Sequence, residues 1–309
     1  MFRSLSMVWL IGLFWSACTT SSSSDKRLLT EDERRSIDEY RSEVELGRDM
    51  AGRLLQFYGT YNDEELMRYV NDVGLFLTSF SDYKDRRYMF TVLDTKIVNA
   101  FACPGGYILI TRGTLLALKN EAELAGVLGH EITHVGKKHI FTTLMNLDPT
   151  ERSKFVEEVD KGLSTDIATR DRRRVSSSYT SDTGAWLARY MSGSAGAGIT
   201  LLQAAKAGML IILDKGLDQK LEYEADEMGV QLAVRAGYDP FALENFLKRL
   251  NDPSQKVDTK MLEKTHPKLL DRVAAIDKTL SKIQAQDIVA ASGEQRFLKH
   301  TAKLHRKAE

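Results

Sequence analysis

Across residues 34–58 the apolar side chains Ile37, Tyr40, Val44, Met50, Leu54 and Phe57 recur at mostly helical spacing among charged neighbours, which predicts an amphipathic helix. Asn62-Asp63 opens a second helix, with Leu66, Tyr69, Val70, Val73 and Leu77 on one face, ending near the polar stretch 79–84. Two short runs, 88–93 and 107–111, read as a pair of strands; Pro104-Gly105-Gly106 introduces the second. Helical periodicity returns after Asn120, a helix-capping residue with Glu123 three positions on, and continues through Leu124, Val127, Leu128, Ile132 and Val135. Residues 147–194 turn polar, with a basic run at 170–174 and serines at 176–181, and read as an insertion or lid. Residues 195–213 are apolar but broken by Gln203 and Lys206, which favours a buried or amphipathic helix over a membrane span. Two more helices follow, 217–236 stopped by Gly237, and one opened by Asp239-Pro240 that runs to Leu250. The pattern as a whole is α+β and mainly helical.

The beginning of the chain changes the picture of where it works. Arg3 precedes an apolar run over 7–17, and Cys18 then opens the polar stretch 19–24, the order of a secretory leader. That run of about 11 residues is short of the roughly 20 that a spanning helix needs. Ser16 and Ala17 before Cys18 resemble a bacterial lipobox, although Trp15 stands where leucine is usual. Cys18 is therefore the candidate lipidation site, whose acyl chains would hold the mature chain on a membrane; ordinary cleavage that discards Cys18 is the alternative. Thr19 leans toward the outer membrane, with the body of the protein in the periplasm. The division expected is a signal peptide at 1–17, a linker at 18–33, a catalytic domain at 34–285 containing the 147–194 insertion, and a C-terminal tail at 286–309.

Charge and cysteine content narrow the function. Lysine plus arginine equals aspartate plus glutamate at 43 each, so no overall field draws the chain to nucleic acid. Two cysteines, one of them in the leader, make no disulfide framework.

His130-Glu131-Ile132-Thr133-His134 is an HExxH motif inside the predicted helix. Residues four apart on a helix share a face, so both imidazoles can reach one ion, and Glu131 is close enough to take a proton from a water there. Gly126 and Gly129 leave room beside the motif for another backbone or a substrate. His139 lies about 180° around a straight helix from His130 and about 140° from His134, so it is expected to make a helix-end hydrogen bond rather than share the ion. Downstream, Glu222 and Asp226 in Glu222-Tyr223-Glu224-Ala225-Asp226 are again four apart. One carboxylate can bind metal while the other supports a ligand; Asp226 is the candidate for accepting a histidine's second ring proton, and Glu224 reads as a surface acid. The segment 105–110 could pair an extended substrate as an edge strand, or be an internal hairpin strand.

HEITH together with EYEAD resembles the gluzincin zinc metallopeptidases, a family that includes bacterial periplasmic proteases and the CAAX prenyl proteases. Asn99-Ala100-Phe101, Pro104-Gly105-Gly106-Tyr107, Thr111-Arg112-Gly113 and, further on, Thr265-His266-Pro267 with Arg272 extend the likeness over about 44–272. Cys103 and the 147–194 segment depart from it. The resemblance implies a zincin-like fold with a small sheet and an HExxH helix, and one Zn2+ per chain held by His130, His134 and Glu222. It implies a metalloendopeptidase acting on misfolded or misassembled envelope polypeptides. His266 and Arg272 are candidate oxyanion donors; His266 could instead fill the open position of the zinc. A chaperone-like assembly factor with a self-inhibited zinc site is the second reading.

Overall fold

In a computed structural model of the chain, residues 29–147, 201–254 and 257–307 are described. The leader, Cys18 and the expected insertion lie outside them.

The chain opens with α1 (Glu31–Tyr58), started by a capping box in which Thr30 and Glu33 bond each other's backbone N–H groups. Helix α2 (Glu64–Ser79) follows, its first turn held by Asp63, which accepts from Leu66 N at 3.1 Å. Three strands come next: β1 (Met89–Leu93), β2 (Ala100–Cys103) and β3 (Tyr107–Thr111). Their spatial order is β1-β3-β2, with β3 parallel to β1 and antiparallel to β2.

The two expected strands are thus neighbours, and a third, β2, has joined them. Its four residues Ala-Phe-Ala-Cys are all buried and show no apolar-polar alternation, so the chain signals it only weakly. With β3 in the middle, both its edges are already paired. It is the internal strand, and among the described residues the unpaired edge beside the HExxH helix belongs to β2.

Short α3 (Arg112–Ala117) leads into α4 (Glu121–Gly136), which carries the motif, and α5 (His139–Asn146) follows at once. After α6 (Leu201–Leu210) and one π-helical turn, Ile211–Lys215, comes α7 (Gln219–Arg235) with the second acidic motif. Helices α8 (Ala242–Leu250), α9 (Lys260–Thr265), α10 (Leu269–Lys282) and α11 (Glu294–Arg306) complete the described chain.

The main core fills the space between the sheet, α2, α4, α8 and α10, with Phe90, Leu128, Ile132, Leu243, Phe246 and Ile276 inside. A second core joins α1, α5 and α6 on the other side of the sheet, through Leu46, Met50, Phe101, Phe141 and Ala204. Residues expected as a tail at 286–309 include α11, whose Phe297 and Leu304 sit inside the main core. Its spacing of apolar residues is sparse, which is why the sequence reads there as a tail. No described helix is long and apolar enough to cross a membrane.

Candidate active site

Helix α4 is buried along its whole length, which is unusual for a helix carrying two glutamates in its first turn. Each of those acids is neutralised. Asn120 caps the helix by accepting from Glu123 N at 2.9 Å, while the Glu123 carboxylate turns to Lys119 N at 2.7 Å and to Arg249 at 2.6 Å. Glu121 takes hydrogen bonds from Tyr69 and Tyr238, each at 2.8 Å, and is capped by Arg296.

What brings the two motifs together is a backbone crossing between α4 and α7. A Cβ on Gly129 would lie 2.8 Å from Gly229 O, and one on Gly229 would lie 2.7 Å from His130 N. Glycine at both positions removes the side chains that would hold the helices apart. The room expected beside Gly126 and Gly129 is filled by protein: Leu243 and Gly229 pack there, not substrate. One and two turns before that crossing, Asp226 and Glu222 face the histidines.

His130 Nε2 and His134 Nε2 lie 2.9 Å apart, and each is 3.6 Å from an oxygen of Glu222. His130 Nδ1 lies 2.9 Å from Asp226 Oδ1. Arg272 donates to the same carboxylate from Nε at 2.9 Å and from Nη2 at 2.6 Å. Burial alone would raise the Asp226 carboxyl, but Arg272 and His130 outweigh it and hold it at about 2. Burial likewise opposes ionisation of Glu222, yet the neighbouring His266 and His134, with the hydrogen bond to His266, keep its carboxyl well below the usual range. Glu131, buried beside them, is pushed up from the ordinary carboxylate value by desolvation.

This donor set fits a metal ion. With His130 Nδ1 donating to ionised Asp226, its Nε2 presents a lone pair to the Glu222 carboxylate and to the second imidazole. Acceptors facing one another in a dry site repel unless a proton or cation lies among them. Imidazole nitrogen and carboxylate oxygen are the donors zinc takes, and His130, His134 and Glu222 could hold it. His266 joins the same cluster: its Nδ1 is 2.5 Å from Glu222 Oε2, and ligand atoms of His130, Glu222 and His266 all lie within 4.8 Å of one another.

Arg272 is placed differently from the expected oxyanion donor. It is 3% exposed, and its guanidinium is committed to Asp226, so it orients that carboxylate from behind His130. His139 makes a hydrogen bond and stands outside the group of possible ligands, as the sequence suggests, but it does not sit where a straight helix would put it. Lys138 adopts a left-handed conformation, φ 57°, which breaks the helix between α4 and α5, so the straight-helix angle no longer applies. The His139 ring returns to 2.9 Å from His134 Nδ1, and its Nε2 is 3.2 Å from Glu224 Oε2. Glu224 is half-exposed, as a surface acid would be, but it also reaches this buried ring.

Two small cavities flank the cluster. One is lined by Asn99, Val127, Glu131, Leu243 and Leu247, and the other by Ala100, Phe101, Ala102, Ile140 and Ile212. Both lie alongside β2, so it is β2 rather than 105–110 whose edge an extended chain would meet.

Comparison with known proteins agrees with this arrangement. The family model described as Peptidase family M48 matches residues 64–280. The chain is 27% identical over 197 residues to the beta-barrel assembly-enhancing protease of Escherichia coli strain K12, covering 63% of this chain and 34% of that protein. It is 30% identical over 197 residues to the protein of that name from Yersinia pestis, covering 63% of this chain and 35% of that one. It is also 27% identical over 154 residues to the mitochondrial metalloendopeptidase OMA1 of Arabidopsis thaliana, covering 48% and 23%. The chain thus spans about a third of the length of the bacterial relatives it matches. Since the family match covers most of the chain, with the HExxH helix, the Glu222–Asp226 helix and Arg272 inside its bounds, the chain belongs to peptidase family M48.

Proposed function

We propose that this protein is a zinc-dependent metalloendopeptidase that hydrolyses peptide bonds in misfolded or misassembled polypeptides of the bacterial envelope. The observation that carries the chemistry is the meeting of His130 Nε2, His134 Nε2 and the Glu222 carboxylate beside the buried Glu131. His130, His134 and Glu222 would hold the ion. Zinc bound there supplies Lewis acidity, which acidifies water and polarises a carbonyl.

The other residues handle protons and position. Glu131, whose burial raises its proton affinity, takes a proton from the attacking water and returns it to the leaving amine. Asp226, fixed by Arg272, holds His130 in the tautomer that turns Nε2 inward. His266 lies against Glu222, where it can donate to a developing oxyanion or, in a resting state, complete the ligand set. The outer edge of β2 offers backbone groups to an extended polypeptide. The envelope setting is supported by the leader-like first residues, the candidate lipidation site Cys18 and the name of the bacterial relatives, beta-barrel assembly-enhancing protease. On this reading the protein is a periplasmic lipoprotein on the outer membrane.

Zinc content and casein cleavage of the purified protein, beside Glu131→Gln and a chelator control, test the proposal. Cleavage lost in both controls while Glu131→Gln keeps its zinc is the expected result. Absence of bound metal in the wild type would overturn it. Zinc without cleavage in the wild type, relieved by His266→Ala, would instead identify a self-inhibited site.

A further inference from the structure

The two histidines of the motif are supported in different ways. Behind His130 stands a buried carboxylate, Asp226, clamped by Arg272. Among the described residues no carboxylate stands behind His134. The partner of its Nδ1 is another imidazole nitrogen, His139 Nδ1, at 2.9 Å. Beyond that ring, His139 Nε2 meets Glu224 Oε2 at 3.2 Å, and Glu224 is held from outside by Lys137 Nζ at 2.7 Å.

Valence decides the direction of this chain. If His134 is to turn an Nε2 lone pair toward Glu222 and His130, its proton must sit on Nδ1 and be donated outward. His139 Nδ1 must then accept, which places the His139 proton on Nε2, and that atom faces the Glu224 carboxylate. Glu224 accepts from both sides. Every heteroatom in the row is used, and the row runs one way, from the buried site to a half-exposed ion pair.

We infer that His139 is a positioning residue for His134: through Lys137, Glu224 and its own ring it selects the His134 tautomer and orientation that point Nε2 into the metal site. The inference rests on the zinc reading given above. It follows from the break at Lys138, since a helix continued through that residue would carry the His139 ring to the far side. The side chain buries a polar atom pair that a hydrophobic residue would pack more cheaply, which is the mark of a ring kept for its hydrogen bonds.

The test is zinc affinity of the purified full chain, measured by competition with a chromophoric chelator, with a cobalt(II) visible spectrum as a second readout of ligand geometry. His139→Leu, which fills space without hydrogen bonding, should weaken zinc about 10–100-fold and alter the cobalt spectrum. His139→Asn, whose Oδ1 can take the place of the accepting Nδ1, should recover most of that loss. Equal affinity for wild type and a folded His139→Leu overturns the inference. So does equal weakening in Leu and Asn variants, because packing alone would then explain it. Should His139→Leu fail to fold, Glu224→Ala, on a half-exposed side chain, carries the same test: weaker zinc binding is expected, and unchanged affinity overturns the inference. A wild-type protein that binds no zinc fails at the earlier step and overturns the metallopeptidase reading itself.

Discussion

Among single residues, Asp226 and Arg272 show how a buried ion pair can matter to the metal site and to stability in separable ways. Removing the guanidinium in Arg272→Met leaves a buried carboxylate uncompensated, and the expected cost is about 3–5 kcal/mol, read as a lower denaturant midpoint. Asp226→Asn keeps the shape but weakens the acceptor behind His130. It should reduce zinc affinity by about 10–100-fold, with a smaller change in unfolding midpoint than Arg272→Met. Zinc competition and urea unfolding on both variants check this; a reversed order would mean that Asp226 is chiefly structural. At this scale the chain was informative. Helical spacing of four put His130 with His134, and Glu222 with Asp226, on shared helix faces without any knowledge of the fold; which carboxylate would bind metal came from the family resemblance instead. The place of His139 was not legible, because one residue, Lys138, takes a conformation that the sequence does not announce.

Between elements, the crossing of α4 and α7 decides whether the ligands meet. The expected consequence of Gly229→Ala is a forced separation, since its Cβ would lie 2.7 Å from His130 N. Overpacking of that kind costs about 1–3 kcal/mol and should lower zinc occupancy as well. Gly52→Ala provides the contrast. Gly52 lies inside α1 with no atom within 4 Å of its would-be Cβ, so the same substitution should stabilise by about 0.5–1 kcal/mol. Thermal unfolding of the pair checks both signs at once. Strand order belongs to the same scale. Local pattern identified β1 and β3, but it could not reveal that β2 would take the outer position beside Glu131.

For the molecule as a whole, Glu121 ties together parts that are far apart in the chain: Tyr69 on α2, Tyr238 after α7 and Arg296 on α11 all donate to its carboxylate. Burial opposes its ionisation, but the bonds from Arg296, Tyr69 and Tyr238 outweigh burial and hold its pKa below the ordinary 4.5. A carboxyl with a depressed folded-state pKa adds stability that is present above its unfolded value and is lost as pH falls through the folded one. Glu121→Gln should therefore be less stable than wild type at pH 7, and the gap should narrow below 4.5. Urea midpoints at neutral and acidic pH measure it; a gap independent of pH would contradict the assignment. Loss of this anchor should also loosen α11, whose Phe297 fills the main core.

By itself the sequence determined the chemistry on offer and the helices that carry it, because ligand spacing and amphipathic periodicity are local properties set by the 3.6-residue turn. It also determined the mainly helical α+β class and, through its motifs, the resemblance to the family. Only the tertiary structure decided that α11 belongs to the core, that the Arg272 guanidinium meets Asp226, and that His139 stands behind His134. Each of those depends on which distant surfaces meet, and close approach of two backbones at Gly129 and Gly229 is a fact about pairs of elements that no single stretch of chain contains.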